Sequence, residues 1–504
     1  MPVQSGHAPF HVPTMTARLV HRVRSTLQPS DHPYLNGAWA PVFEEWNDDD
    51  CPVTGQIPRD LDGVYLRNTE NPVHEPLGKY HPFDGDGMLC SMRFHNGRAA
   101  FRNRFVRTRG FVSEQEAGRA LWSGIAEVPP RSERPGWGAQ GSLKDSSSTD
   151  VCVHGGRALT SFYQCGELYA ADPVTLDQYG AVGWGGQFPR EGVSAHGVVD
   201  RTRDELLWFA YSREAPYMRC GAVSRGGDPI ETVDVPLPGP RLPHAMMHTP
   251  NWYVLNDFPL FWDAALMPRG IFAARLHDLP SRFALVRRHA PAGTERIRWF
   301  EADPTYVLHF TNAREEGDEV ILDGYRQQQP MPPALAGAPK KYAQMMAYVD
   351  LHSMKPQLWR WRFDLRTGTT REEMLDETLC EFGTINRAWY GRANRYVYSV
   401  TGAPGWFLFD GLIKQDLVTG RHETVRFGPG VYGSETPFVA REGAQSEDDG
   451  WLLTYVTDTL QNWSECWIYA AQSLASGPIA RVRLPLRIPS GTHSCWADAS
   501  ELTT

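Results

Sequence analysis

The chain has 504 residues, a net charge of −9 at pH 7 with histidine neutral, and 12% aromatic residues, 17 of them Trp. That charge gives no reason to expect nucleic-acid binding, and the chain holds no signal-peptide pattern and no run of the roughly 18 apolar residues that a membrane-spanning helix needs. With 46 Gly and 39 Pro, many short strands around an apolar interior are expected, and the eight scattered cysteines, none in a Cys-x-x-Cys pair, read as buried thiols of a reducing cytoplasm rather than a disulfide frame.

In chain order, residues 1–32 differ in kind from the rest and are set apart as an N-terminal extension. Within them Thr16 to Leu27 is basic and weakly amphipathic. It predicts a helix on a membrane surface, a helix packed as a cap, or a loosely ordered segment. Residues 33–504 contain no dividing linker and read as one domain. Gly63 to Arg67, Met88 to Phe94 and Ala100 to Val106 are apolar strands. They are separated by Asn71-Pro72, by the tandem Asp84-Gly85-Asp86-Gly87 turn signals, and by Asn96-Gly97, which makes a β-meander. Glu114 to Trp122 is the best helical segment, with Ser113 and Glu116 spaced as a capping box.

A strand ending in a polar turn recurs at Leu168 to Leu176, Trp361 to Gly368 and Ile413 to Gly420, with a degraded copy at Trp467 to Ala471. Such a unit recurring at irregular spacing is the signal of an all-β propeller, though too worn to count blades. Of the 17 histidines, most should be core or surface residues. Four stand out because small or apolar neighbours surround them: His196, His244, His309 and His493. They are too far apart for a local zinc motif. A propeller can bring them together, because one residue per blade reaches the axis.

Several stretches carry a closer resemblance. Arg67-Asn68-Thr69-Glu70-Asn71-Pro72, Tyr80-His81-Pro82-Phe83-Asp84-Gly85-Asp86-Gly87-Met88 and Arg102 to Thr108 resemble the carotenoid cleavage oxygenase family, most closely its lignostilbene dioxygenase branch. Arg395 to Tyr398, Ser446 to Leu453 and Leu484 to Pro489 extend the likeness over roughly residues 33 to 498.

The resemblance implies seven blades closed around a central metal, with helices and loops capping one face. It matches His196, His244, His309 and His493 to four iron ligands, with His248 second choice to His244. It implies one ferrous ion per chain and dioxygen as co-substrate. Metal-bound imidazoles usually donate their other N–H to a carboxylate; Glu381 and Glu435 match two such partners, and Gln164 stands where a third Glu is expected. The implied reaction is oxidative cleavage of a C=C bond into two carbonyl products, in a stilbenoid or phenylpropenoid or, alternatively, a carotenoid or apocarotenoid. Stilbene cleavers of the family carry a Lys and a Tyr at the substrate phenol; the matching positions here are Tyr163 and Ile125. Tyr163, Ile125 and Phe111 are the expected substrate contacts; Lys144 is read first as a solvated loop lysine and second as a replacement for the missing lysine. Phe101, Phe105, Trp252, Phe258, Phe261 and Trp262 line either a tunnel or the core. The expected partner is a small apolar alkene, with cytoplasmic location, surface contact with a membrane, and oligomeric state open. A metal-free propeller binding module and a propeller hydrolase are the contrasting classes.

Overall fold

Antiparallel units of four strands repeat along the chain, and one sequence device closes many of them. At the end of a strand an Asp carboxylate accepts hydrogen bonds from backbone N–H groups two and three residues ahead. This occurs at Asp172 (from Val174 and Thr175), Asp364 (from Arg366 and Thr367), Asp416 (from Val418 and Thr419) and Asp458 (from Leu460 and Gln461). Asp is suited to this because its short side chain reaches its own downstream backbone. The three clearest sequence repeats are these turns, each joining the third strand of a unit to the fourth.

The computed structural model describes residues 16–503 apart from 129, 139, 140, 187, 190, 191 and 292. It is a seven-bladed β-propeller. Blades 2, 3 and 4 have Asp150–His154, Val198–Asp200 and Met247–His248 as their inner strands. Blade 5 starts at Phe310–Glu316. The long strand Thr370–Thr384 is its outer edge as far as Leu379, and then from Cys380 pairs with Tyr396–Gly402 as the inner strand of blade 6.

The ring is sealed twice. Val53–Gly55, early in the chain, is the outermost strand of blade 7 against Pro478–Arg483. Ser494–Asp498, late in the chain, is the inner strand of blade 1 against Gly63–Arg67. Apolar clusters fill the spaces between blades, with Trp208, Trp361 and Trp496 wholly buried. No disulfide forms among the described residues.

Strands alternate direction, so the loops entering each inner strand share a face with the loops joining second and third strands. The larger insertions lie on that face: residues 68–85 and 106–149 around blade 1, the hairpin Leu260–Trp262 with Ala274–Leu276 in blade 4, and residues 328–355 in blade 5, with helices Ala343–Ala347 and Leu351–Met354.

Local expectations need three corrections. Ala17–Arg22 is not a helix but an edge strand on Glu44–Asp48, with Leu19 and Val20 exposed; its backbone pairs along that edge, and its side chains from Arg18 onward stay outside the core. The helix is Arg109–Ala117, not 114–122. Its cap is Thr108, whose hydroxyl accepts from Phe111 N at 2.9 Å, and Gly118 (φ 67°) ends it in a left-handed cap that 114–122 would have run through. Asn96-Gly97 makes the expected tight turn (φ 50° and 74°), but of the two Asp-Gly pairs only Asp84 closes a short helical turn, and Asp86-Gly87 already begins the strand Asp86–His95.

Candidate metal centre and its cleft

Each blade delivers one polar side chain to the axis where its inner strand begins. His493 immediately precedes Ser494–Asp498, His309 immediately precedes Phe310–Glu316, and His196 and His244 lie two and three residues ahead of Val198–Asp200 and Met247–His248. Blades 2, 6 and 7 contribute Asp150, Glu381 and Glu435. Two site positions have left-handed backbone despite carrying side chains: His196 (φ 63°) and Phe382 (φ 53°). Strain of this kind persists only where the surrounding fold enforces it.

The four imidazoles meet. Ring centroids are 4.4 Å apart for His196 and His493, 4.7 Å for His196 and His244, 4.7 Å for His309 and His493, and 5.2 Å for His244 and His309. Carboxylates hold the Nδ1 side: Glu381 Oε2 lies 2.7 Å from His309, Glu435 Oε2 3.4 Å from His493, and Asp150 Oδ2 3.4 Å from His196. Each carboxylate is itself fixed by a backbone N–H, from Phe382, Ser494 and His196 respectively.

That arrangement leaves the Nε2 atoms facing inward. His196 Nε2 is 3.1 Å from His244 Nε2, and His309 Nε2 is buried with no hydrogen-bond partner. Burial lowers His244 and His493 well below the usual imidazole range, helped by the neighbouring rings, so both are neutral and free to donate lone pairs. Neutral nitrogen donors converging on one point, their far sides anchored by carboxylates, fit a divalent transition-metal ion.

The expected residues divide. The four histidines, Glu381 and Glu435 are gathered at the axis. Gln164 is buried nearby, but its Oε1 has no partner. His248 faces away, against Arg288 at 3.0 Å. Tyr163 lines the cleft above the histidines, its ring 6.0 Å from that of His244.

Ile125 and Phe111 do not line the cleft. Ile125 donates its N–H to Asp84, and Phe111 stacks on Phe105 in the core under the displaced helix, at 5.3 Å. Phe101, Phe105, Trp252, Phe258, Phe261 and Trp262 are likewise buried and outside the cleft wall. Lys144 is neither a substrate residue nor a solvated one. It pairs with Asp86 at 2.8 Å and Glu114 at 2.7 Å; burial opposes its charge, yet these two carboxylates hold it above its ordinary value.

The cleft, counted with its open mouth, spans about 890 Å³. Near the histidines its wall is aromatic: Phe83 packs on Tyr163 at 5.9 Å and on Phe407 at 5.5 Å, and Phe382 lies 4.6 Å from His309. Further out the wall is aliphatic, with Leu260, Ala274, Met331, Val349, Leu351 and Met354. Sequence reasoning found Tyr163 but missed Asp150 and the rest of the aromatic wall, Phe83, Phe382 and Phe407. A Thr-Asp pair at a strand start signals nothing by itself, and Phe407 reaches the site from a loop far away in the chain.

Comparison with known proteins agrees with this geometry. Residues 39–498 match the family described as retinal pigment epithelial membrane protein. The chain is 30% identical to a carotenoid 9,10(9′,10′)-cleavage dioxygenase of Crocus sativus, covering 93% of this chain and 90% of that one. It is 27% identical to lignostilbene-alpha,beta-dioxygenase isozyme III of Sphingomonas paucimobilis, over 93% and 97%. The fold superposes on the crystal structure of Pseudomonas brassicacearum lignostilbene dioxygenase with a TM-score of 0.81, covering 94% of this chain and 100% of that one at 24% identity. The chain therefore belongs to the retinal pigment epithelial membrane protein family, the carotenoid cleavage oxygenases, as a dioxygenase of carbon–carbon double bonds.

Proposed function

We propose that the protein holds one ferrous ion on His196, His244, His309 and His493 and cleaves the conjugated C=C bond of a stilbenoid or phenylpropenoid, one oxygen atom entering each of two carbonyl products. The observation that carries this reading is the aromatic wall beside His244, His309 and His493, three of the four converging imidazoles. Ferrous iron supplies the activation of dioxygen. The chain supplies the rest. Phe83, Tyr163, Phe382 and Phe407 offer ring faces and edges that hold an aryl group and exclude water from the reacting alkene. Glu381, Glu435 and Asp150 fix the orientation and tautomer of three imidazoles, each Nδ1 bearing the proton. No protein nucleophile is required, and no cysteine or serine lines the cleft among the described residues.

A second reading, a carotenoid or apocarotenoid substrate, is favoured by the aliphatic outer wall and by the name of the Crocus sativus relative. Met331 and Tyr348 belong to that wall and are exposed, and Leu276 contacts Met331 through its N–H, so an apolar rim could take a polyene from a lipid surface.

The test is product analysis. Iron-loaded protein is incubated aerobically with 4-hydroxystilbene, isoeugenol and an apocarotenal, and aldehydes are followed by mass spectrometry. Aromatic aldehydes from either of the first two support the primary reading; shortened apocarotenals alone replace it with the second.

A further inference from the structure

Among the described residues lining the cleft, two carry a buried side-chain polar atom without a hydrogen-bond partner: His309 Nε2 and Glu70 Oε2. A metal accounts for the first. Nothing described so far accounts for the second.

Glu70 is 2% exposed and opens the short strand Glu70–Asn71, which pairs with Asp86–Gly87. Its backbone is held closely: a Cβ at Gly85 would sit 2.7 Å from Asn71 N and 2.8 Å from Glu70 C, so only glycine permits this approach. Among the described residues no ion pair joins Glu70 to a cation. The guanidinium of Arg67 is turned instead to the carbonyl of Pro489 at 2.7 Å and to the ring of Tyr455. Thr492 and Glu70's own backbone N–H satisfy part of the carboxyl, and burial pushes it up to about 8. At neutral pH it is therefore mostly the acid, able both to donate and to accept a hydrogen bond. Phe83 and Tyr163 stand beside it in the same wall.

Burying a polar group without a partner is costly, and such groups are rare unless something completes them. Two other polar side chains of the wall have partners within the protein: Tyr306 donates its hydroxyl to Leu242 O, and Thr149 accepts from Tyr163 N. Lys144 is committed to Asp86 and Glu114. We propose that Glu70 is the hydrogen-bonding anchor for an oxygen substituent of the substrate, a phenolic hydroxyl on the aryl ring of the alkene, and so selects hydroxylated over unsubstituted substrates. This rests on the reading that the cleft holds an aryl alkene. It assigns the work of the missing lysine to a carboxylic acid from another blade.

The test uses saturated probes that cannot be cleaved. Binding of 4-hydroxybibenzyl and bibenzyl to the iron-loaded protein is measured by quenching of tryptophan fluorescence, in wild type, Glu70→Gln and Glu70→Leu. Wild type should prefer the hydroxylated probe by about tenfold or more, the scale of discrimination when a built polar site is left unpaired. Glu70→Leu should remove that preference by weakening only the hydroxylated probe, with iron content and melting temperature held. Glu70→Gln, which keeps shape and both hydrogen-bonding roles, should retain most of it.

If Glu70→Leu does not fold, infrared difference spectra decide. The protonated-carboxyl band of wild type should shift on adding 4-hydroxybibenzyl, not on adding bibenzyl, and should be missing in Glu70→Gln. Equal affinity of wild type for both probes, or equal weakening of both by Glu70→Leu, overturns the assignment. Cleavage of 4-hydroxystilbene by a Glu70→Leu enzyme with unchanged KM would leave the proposed reaction standing and remove the anchor. A preference for the hydroxylated probe that depends on Glu70, in a protein that cleaves no stilbenoid, would keep the anchor and remove the substrate reading.

Discussion

Three carboxylates stand behind three of the four imidazoles. His309 and His493 have Glu381 and Glu435, and His196 has Asp150. At His244 the expected partner position is the neutral Gln164. The centre thus keeps three anionic partners, with one on His196. Removing such a partner generally weakens metal binding by about 10- to 100-fold. Asp150→Asn should therefore release iron to a chelator at least about tenfold faster than wild type at unchanged melting temperature, as read by a colorimetric ferrous chelator; release at the wild-type rate would make Asp150 a bystander. His309→Ala should bring bound iron, measured by atomic absorption, well below one per chain. The histidines were legible because each sits in an uncharged setting that a surface residue would not share. Asp150 was not, since its pairing with His196 crosses from one blade to the next and leaves no trace in local sequence.

Secondary elements here are held more by discrete polar fastenings than by their own propensity. Thr108 caps the helix Arg109–Ala117, and replacing a hydroxyl cap by alanine costs about 1 kcal/mol. Thr108→Ala should lower the urea midpoint accordingly, with little effect on iron content; a large loss of iron would mean that the helix positions the cleft more tightly than its contacts suggest. A stronger fastening lies between blades 3 and 4. The side chain of Arg288 is fully buried and reaches Asp200 at 2.7 Å, Glu205 at 2.8 Å and Thr249 O at 2.9 Å. Breaking a buried pair by removing one partner leaves uncompensated charge and costs about 3–5 kcal/mol. Arg288→Ala should be among the most destabilising single changes outside the apolar core, as judged by chemical denaturation. The strands were readable from alternation and the Asp turns from their spacing. The helix was misplaced because the register of Glu, Ala and Leu continues past Gly118, where the backbone does not. That offset also bears on Ile125, which was placed by its position after the expected helix and does not line the cleft.

At the scale of the whole molecule, seven blades convert residues scattered over about 350 positions into one point. The propeller was visible in the repeated strand-and-turn unit, but the blade count was not. Blades 5 and 6 share one strand, and blades 1 and 7 borrow strands from opposite ends of the chain, so no clean repeat exists to count. Deleting residues 494–504 should remove the inner strand of blade 1, and the remaining protein should lose cooperative thermal unfolding; a truncated protein that still melts sharply would show that the ring does not depend on that strand. The double seal also has a consequence for biosynthesis. His493 directly precedes the closing strand, so the last metal ligand and the last piece of the ring leave the ribosome together. A nascent chain halted short of them can form most of its blades but presents only three imidazoles on an open axis. Capture of a metal ion by all four imidazoles then requires that the closing strand has been made, and products halted short of it are left metal-poor and open to proteolysis.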